Sequence, residues 1–166
     1  MKRRHLMTGG AAMLTLGACS APSKFQRYNG PEVTGIVVNK AERKMFLLNE
    51  GRVLEQYDVR LGFAPEGHKE IEGDGRTPEG VYYINRRNPN SRFHLSLGIS
   101  YPNAEDRAKA AAMGKKPGGD IFIHGQKVPF RRDKGDWTWG CIAIDNKEME
   151  KVYAMVNDGT PIAINP

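Results

Sequence analysis

Two side chains in this chain of 166 residues have the types and surroundings that thiol chemistry needs, Cys141 and His124. A thiol attacks carbonyls well only as the thiolate. Its ordinary pKa, near ~8.5, keeps it protonated at neutral pH unless an imidazole or a positive field takes the proton. His124 closes the apolar run Ile121-Phe122-Ile123 and is followed by Gly125. A polar residue that ends a buried strand sits at the sheet's end, where sites are often built. Taken alone, His124 is equally well read as a structural histidine bonded to backbone. Further along comes Trp137-Thr138-Trp139-Gly140-Cys141-Ile142-Ala143-Ile144. Here the cysteine opens an apolar strand directly after a glycine. Gly140 permits a tight turn that can bring N–H groups toward an oxyanion. Thr138, Trp139 and Trp137 are placed to shape a pocket, although both tryptophans also read as packing.

The cysteine count sharpens this reading, because the chain has only Cys19 and Cys141. The N-terminus has the layout of a targeting segment. Lys2, Arg3 and Arg4 precede a short apolar stretch, Leu6 to Ala18, which ends in Leu16-Gly17-Ala18-Cys19. That stretch is too short to span a bilayer. The tetrapeptide resembles a bacterial lipobox, in which Cys19 becomes the lipidated first residue and anchors the protein to a membrane. The plainer alternative is an ordinary signal peptide cut near Ala18 or Ala21. Arg3-Arg4 also fits a twin-arginine export signal. Ser20, rather than aspartate, follows Cys19, which favours sorting to the outer membrane. The expected organisation is a signal peptide over 1–18, a linker over 19–32 and one domain over 33–166. If Cys19 is lipidated, Cys141 is a lone thiol in an oxidising compartment, with no disulfide partner. Burial as a small hydrophobe is the bland reason for such a thiol, and catalysis the sharper one.

Composition excludes other classes. The mean hydropathy of −0.57 is not that of a multi-span membrane protein. The formal charge of +6 rests partly on the first four residues; without residues 1–18, Lys+Arg falls from 25 to 22 against 19 acids, leaving +3. That balance does not argue for nucleic acid, and it suits an anionic cell wall. The scattered His, Asp and Glu show no metal-ligand spacing, so neither a metal nor another cofactor is expected.

The elements that must position the two residues read as mainly β. Strands are expected over 33–39, 44–49 and 52–61, with Glu50-Gly51 as a hairpin turn. Residues 62–80, rich in Gly, Pro and charge, read as a long functional loop. Strands follow over 80–85, 93–99, 120–124, 141–144 and 160–164. Asn103 can cap a helix over 104–113 ended by Gly114, and Asp145 with Glu148 starts a helix reaching about 157. The fold class is thus mainly β with two peripheral helices (α+β).

Several motifs in one order now carry a resemblance. Ile123-His124-Gly125 followed by Thr138-Trp139-Gly140-Cys141-Ile142 resembles the signature of the L,D-transpeptidase catalytic domain family (YkuD-like). Gly73-Asp74-Gly75-Arg76-Thr77-Pro78-Glu79-Gly80-Val81-Tyr82 resembles its upstream motif. Phe93-His94, Ile99 to Asn103 and Pro117-Gly118-Gly119-Asp120 match one branch. The resemblance implies that family's fold and peptidoglycan stem peptides as substrate. It implies Cys141 as nucleophile, His124 as proton donor and acceptor, and the Gly125 carbonyl as the group that orients His124. Gly140, Trp139 and Thr138 fall at oxyanion or substrate-binding positions. Two departures alter the pocket wall: Trp139 stands where a second histidine is common, and Ala143 where an arginine is common. Arg131, with Arg132, is a candidate replacement for carboxylate binding; the alternative is a solvated basic loop.

The implied activity is a peptidoglycan L,D-transpeptidase of the bacterial periplasm or envelope, contributing to wall biogenesis and cell shape. A hydrolase of the same fold, either an L,D-carboxypeptidase or an amidase releasing a wall-linked lipoprotein, would share every reacting residue. Such a lipoprotein could be acceptor or substrate. A non-catalytic wall-binding lipoprotein is a third reading, but loss of Cys141 or His124 would be its mark, and both are present.

Overall fold

The computed structural model of the chain describes residues 23–126 and 135–166. Cys19 and the targeting segment, as well as Arg131 and Arg132, lie outside the described residues. The chain order is β1 (Gly35–Asn39), β2 (Lys44–Asn49), β3 (Arg52–Asp58), β4 (Gly80–Asn88), β5 (Ser96–Ile99), α1 (Ala104–Ala112), β6 (Phe122–His124), β7 (Ile142–Ala143), α2 (Asn146–Met155) and β8 (Pro161–Asn165). No helix among the described residues is long and apolar enough to cross a membrane.

Alternation in the first strands is the cause of the sheet's inner face. Ile36 and Val38 of β1, and Met45 and Leu47 of β2, point inward, while their neighbours are half-exposed. This is the period-2 pattern of a strand buried on one side. Glu50 and Gly51 both have positive φ, 48° and 83°, as a two-residue turn that follows the sheet twist requires.

The sheet has the order β3-β2-β1-β8-β4-β5-β6-β7. β1 and β8 pair in parallel, as do β6 and β7, and the other neighbours are antiparallel. The two ends of this order meet. Beyond β3 the chain changes partner: Val59 N–H still bonds Arg43 O, but Arg60 and Ala143 exchange both backbone hydrogen bonds at 2.8 Å. Phe63 N–H then donates to Thr138 O. The sheet therefore curls into a half-barrel, and the expected strand over 52–61 divides between two edges. Leu97, Ile123, Ile142 and Ile162 fill the interior. α2 covers it with Met149, Val152 and Met155, joined by Val156 just past the helix.

Both helices start at capping boxes, Asn103 with Asp106 and Asp145 with Glu148. Each box satisfies two N–H groups that a helix start otherwise leaves without acceptors. α1 buries only Asp106 and Ala110, so it is a solvated cover. Most other boundaries lie within two residues of expectation, and two further elements depart by more. β4 runs on through Arg86-Arg87-Asn88, because these polar residues still pair with β5. β5 begins only at Ser96, because His94 takes φ 73° and breaks the strand. Residues 23–33 form no regular element but lie along the domain. Lys24 Nζ donates to Pro89 O at 2.7 Å and His94 O at 3.0 Å, and Gln26 Nε2 to Glu150 Oε2 at 3.1 Å.

Candidate active site

Register aligns the reacting candidates. His124 lies beside Ala143 and Ile123 beside Ile142 in the parallel β6–β7 pair. One step back along both strands, Phe122 lies beside Cys141. Side chains two apart share a face, so His124 and Cys141 project from the same side, diagonally across one strand pair. Ile123 and Ile142 point the other way, into the core. The row continues outward: Arg86 pairs with Gly98, and Gly98 with Phe122. Arg86, Gly98 and Phe122 thus run across three strands toward Cys141, just before β7, and Asn88, Ser96, His124 and Ala143 form the adjacent row across four.

His124 is buried. Its Nδ1 lies 2.6 Å from Gly125 O. A carbonyl only accepts, so Nδ1 carries the hydrogen and Nε2 is left with its lone pair. Phe93 stacks on the imidazole at 4.5 Å between centroids, and Trp137 meets it edge-on at 5.9 Å. Burial lowers the pKa of His124 and outweighs the Gly125 hydrogen bond, so the ring is held neutral. Gly125 has no room for a side chain: a Cβ there would collide with Asn146 Oδ1. That same Oδ1 accepts from Gln126 N–H at 2.7 Å.

Cys141 is half-buried, and its thiol lies 3.5 Å from Asp120 O. Burial pushes its pKa up; a hydrogen bond from the Phe122 backbone works against this, Asp120 adds to it and Lys69 opposes it. The resting pair is therefore a thiol and a neutral imidazole. Both line one cavity of about 280 Å³, walled also by Phe93, Ser96, Asp120 and Phe122. Beyond Asp120 opens a wider cleft of about 920 Å³, lined by Arg86, Lys116, Tyr101 and Trp139 among others.

The turn before Cys141 is built from below. Gly140 has φ 118°, a region that favours glycine, and a Cβ there would lie 2.5 Å from Arg76 O. Arg76 belongs to the Gly- and Pro-rich loop. Asp74 ties that loop down by accepting from Lys69 Nζ at 2.7 Å and from the backbone N–H groups of Glu70, Ile71 and Arg76. Buried Thr77 accepts Gly62 N–H at 3.1 Å. The loop is a pedestal for the 138–141 turn.

The other expected site residues separate. Thr138 is buried, donates to Cys141 O at 2.7 Å and accepts Gly140 N–H at 3.2 Å, so its hydroxyl organises the turn. That bond engages the Gly140 N–H itself. Trp139 is 70% exposed and meets Phe63 edge-on at 4.9 Å, on the rim of the wider cleft. Arg131 falls outside the described residues. Sequence reasoning quoted Phe93 and Asp120 within motifs but gave neither a role, and it passed over Arg86. Their signal was register: each lies on or beside a cross-strand row whose partners are not neighbours in the chain. Among the described residues no group of three or more His, Cys, Asp or Glu is placed to hold a metal ion.

Comparison with known proteins agrees with this architecture. The helical cell shape determining protein Pgp2 from Campylobacter jejuni superposes with a TM-score of 0.63 at 28% identity, over 82% of this chain and 49% of that one. YafK of Escherichia coli (strain K12), whose own name assigns L,D-transpeptidase activity only provisionally, is 26% identical over 151 residues, covering 85% of this chain and 56% of that protein. A mutant of the Enterococcus faecium L,D-transpeptidase shares the fold at 18% identity, with a TM-score of 0.52, over 81% of this chain and 50% of that one. The chain spans about half the length of these relatives. The L,D-transpeptidase catalytic domain family model (YkuD) matches residues 34–164, from the first strand of the half-barrel to the last, and the chain belongs to that family.

Proposed function

We propose that the protein is a cysteine-dependent acyltransferase of the bacterial envelope, an L,D-transpeptidase acting on peptidoglycan stem peptides. The observation that carries this reading is the shared cavity. Cys141 and His124 project from one face of β6 and the start of β7 into the same 280 Å³ space, with His124 Nδ1 pinned to Gly125 O and its Nε2, which has no hydrogen-bond partner among the described residues, as the base.

The chemistry runs in two steps. His124 Nε2 takes the thiol proton as Cys141 Sγ attacks the carbonyl preceding a terminal D-alanine. The S–C bond forms, the C–N bond breaks, and the proton on His124 passes to the departing amine. An amine of a second stem then attacks the thioester carbonyl, giving up its proton to His124; the new C–N bond forms, the C–S bond breaks, and the proton on His124 returns to the released sulfur. Both groups start neutral, so the thiol proton moves to His124 only as the S–C bond forms. The signal over 1–18 and lipidation at Cys19 belong to the same reading, which places the domain beside the wall by an anchor and the 19–32 segment.

The test is incubation with purified stem tetrapeptides, followed by mass spectrometry. A dimer of stems, together with a thioester adduct on Cys141, is the expected result. A tripeptide without dimer would assign hydrolysis to the same site. Turnover by Cys141→Ala at the wild-type rate would overturn the reading.

A further inference from the structure

The row that carries Cys141 also carries a cation placed with care. Arg86 leaves β4 and lies flat over Gly98 of β5. A Cβ at Gly98 would come within 2.5 Å of Arg86 Cγ and 2.7 Å of Nε, so only glycine leaves that path open. The guanidinium then sits 4.5 Å above the Phe122 ring, and Nη2 donates to Asp120 Oδ1 at 2.7 Å. Asp120 is the residue whose carbonyl faces the Cys141 thiol at 3.5 Å, and it lines both clefts. One aspartate therefore spans from thiol to guanidinium.

We infer that Arg86 recognises a carboxylate of the substrate, the free C-terminal carboxylate of the residue that leaves when Cys141 is acylated. The inference rests on the acyl-transfer reading above. The span supports it. In a substrate the carboxylate lies one residue beyond the attacked carbonyl, roughly 3.3–3.6 Å along the chain. Asp120 bridges the same two groups with one residue of its own and thus imitates the ligand. Its carboxylate is 84% exposed, and an ion pair in solvent is weak and exchangeable. A planar guanidinium backed by an aromatic ring presents a fork that a carboxylate can grip with both oxygens.

The experiment measures binding rather than turnover. A stem tetrapeptide and its C-terminal carboxamide are titrated calorimetrically into Cys141→Ala protein. The acid binds about tenfold more tightly than the amide, as one charge-assisted contact predicts. Arg86→Gln reduces that ratio to within about twofold, whereas Lys116→Gln, which removes another cation of the same cleft, leaves the ratio as it was. If Arg86→Gln does not fold, Asp120→Asn decides, since freeing the guanidinium tightens the acid and not the amide. Equal affinities, a preference that survives Arg86→Gln, an acid affinity unmoved by Asp120→Asn, or no binding of either peptide would overturn the inference. Acylation of Cys141 in the wild-type protein, followed by mass, judges the underlying reading separately.

Discussion

His124, at the end of β6, and His68, in the loop before β4, are wired in opposite ways. His68 uses both ring nitrogens. Its Nδ1 accepts Glu79 N–H at 3.0 Å, so the hydrogen sits on Nε2, which donates to Asp106 Oδ1 at 3.1 Å. Asp106 is buried and also accepts from Tyr82 Oη at 3.0 Å and Asn103 N–H at 2.9 Å. Every donor in that network has its acceptor, and burial, with Asp106 beside it, drives the Tyr82 pKa far up. His124 is fixed by one nitrogen only, and among the described residues no partner is recorded for its Nε2. A saturated histidine can hold a helix start against a sheet, whereas one with a spare lone pair, facing a cavity that also holds a thiol, can move a proton.

The largest contrast is in rate. Cys141→Ala and His124→Gln each lower kcat/KM on stem peptides by at least about a thousandfold, since each removes a member of a unit that works together. The melting temperature changes little in Cys141→Ala. His68→Ala keeps kcat/KM within about tenfold of wild type and loses stability instead. A His68 variant as inactive as His124→Gln would break the contrast.

Next comes a stability effect confined to the other region. Asp106→Ala leaves the Tyr82 hydroxyl and the His68 N–H without their acceptor and removes half of a capping box. Urea unfolding should show a loss of about 2–4 kcal/mol. The alkylation rate of Cys141 should stay near the wild-type value, because none of these bonds reaches the 138–141 turn.

A smaller effect tests the pedestal. Gly140→Ala meets both an unfavourable φ of 118° and the Arg76 carbonyl, and should cost about 1–3 kcal/mol. It should also lower kcat more than it raises KM, because the displaced turn carries Cys141, the proposed nucleophile. Stability and rate falling together here, but stability alone in the Asp106 variant, would show that the Arg76 contact, and not the His68 end of the same loop, supports the chemistry.

Much of the fold was legible in the sequence. Alternation in 35–39 and 44–49, the Glu50-Gly51 turn and both capping boxes are local features, and the structure has them where local physics puts them. The boundaries that moved depend on distant partners. Asp58 ends β3 because the next residues pair with β7, and Arg86 to Asn88 stay in β4 because β5 continues beside them. For the site, spacing could nominate His124 and Cys141, but it could not show Phe93 on the imidazole or Asp120 against the thiol. Thr138 shows the reverse: a residue in the motif whose hydroxyl is spent on the turn itself.

The finest separation of the two histidines is by pH. Burial lowers the pKa of His124 below its ordinary value of 6.5, so the proposed base remains unprotonated into mildly acidic solution. The acid limb of kcat/KM should therefore lie below about pH 6.5. The same shift acts on folding. The unfolded chain, with the higher pKa, binds the proton first, so stability contributed by neutral His124 is full above the unfolded value and is lost as pH falls toward the folded one. His124→Gln should flatten that part of the stability profile measured by urea unfolding. Cys141 gives the opposite limb. Its pKa is raised by burial, so the thiolate forms more readily in the unfolded chain, and stability declines as pH rises past the ordinary thiol range. Alkylation by iodoacetamide, which reports the thiolate, should accordingly show a midpoint above that of a free cysteine. A midpoint well below it would mean that a thiolate–imidazolium pair exists before substrate arrives, and the resting state inferred from the two buried neutral groups would have to be abandoned.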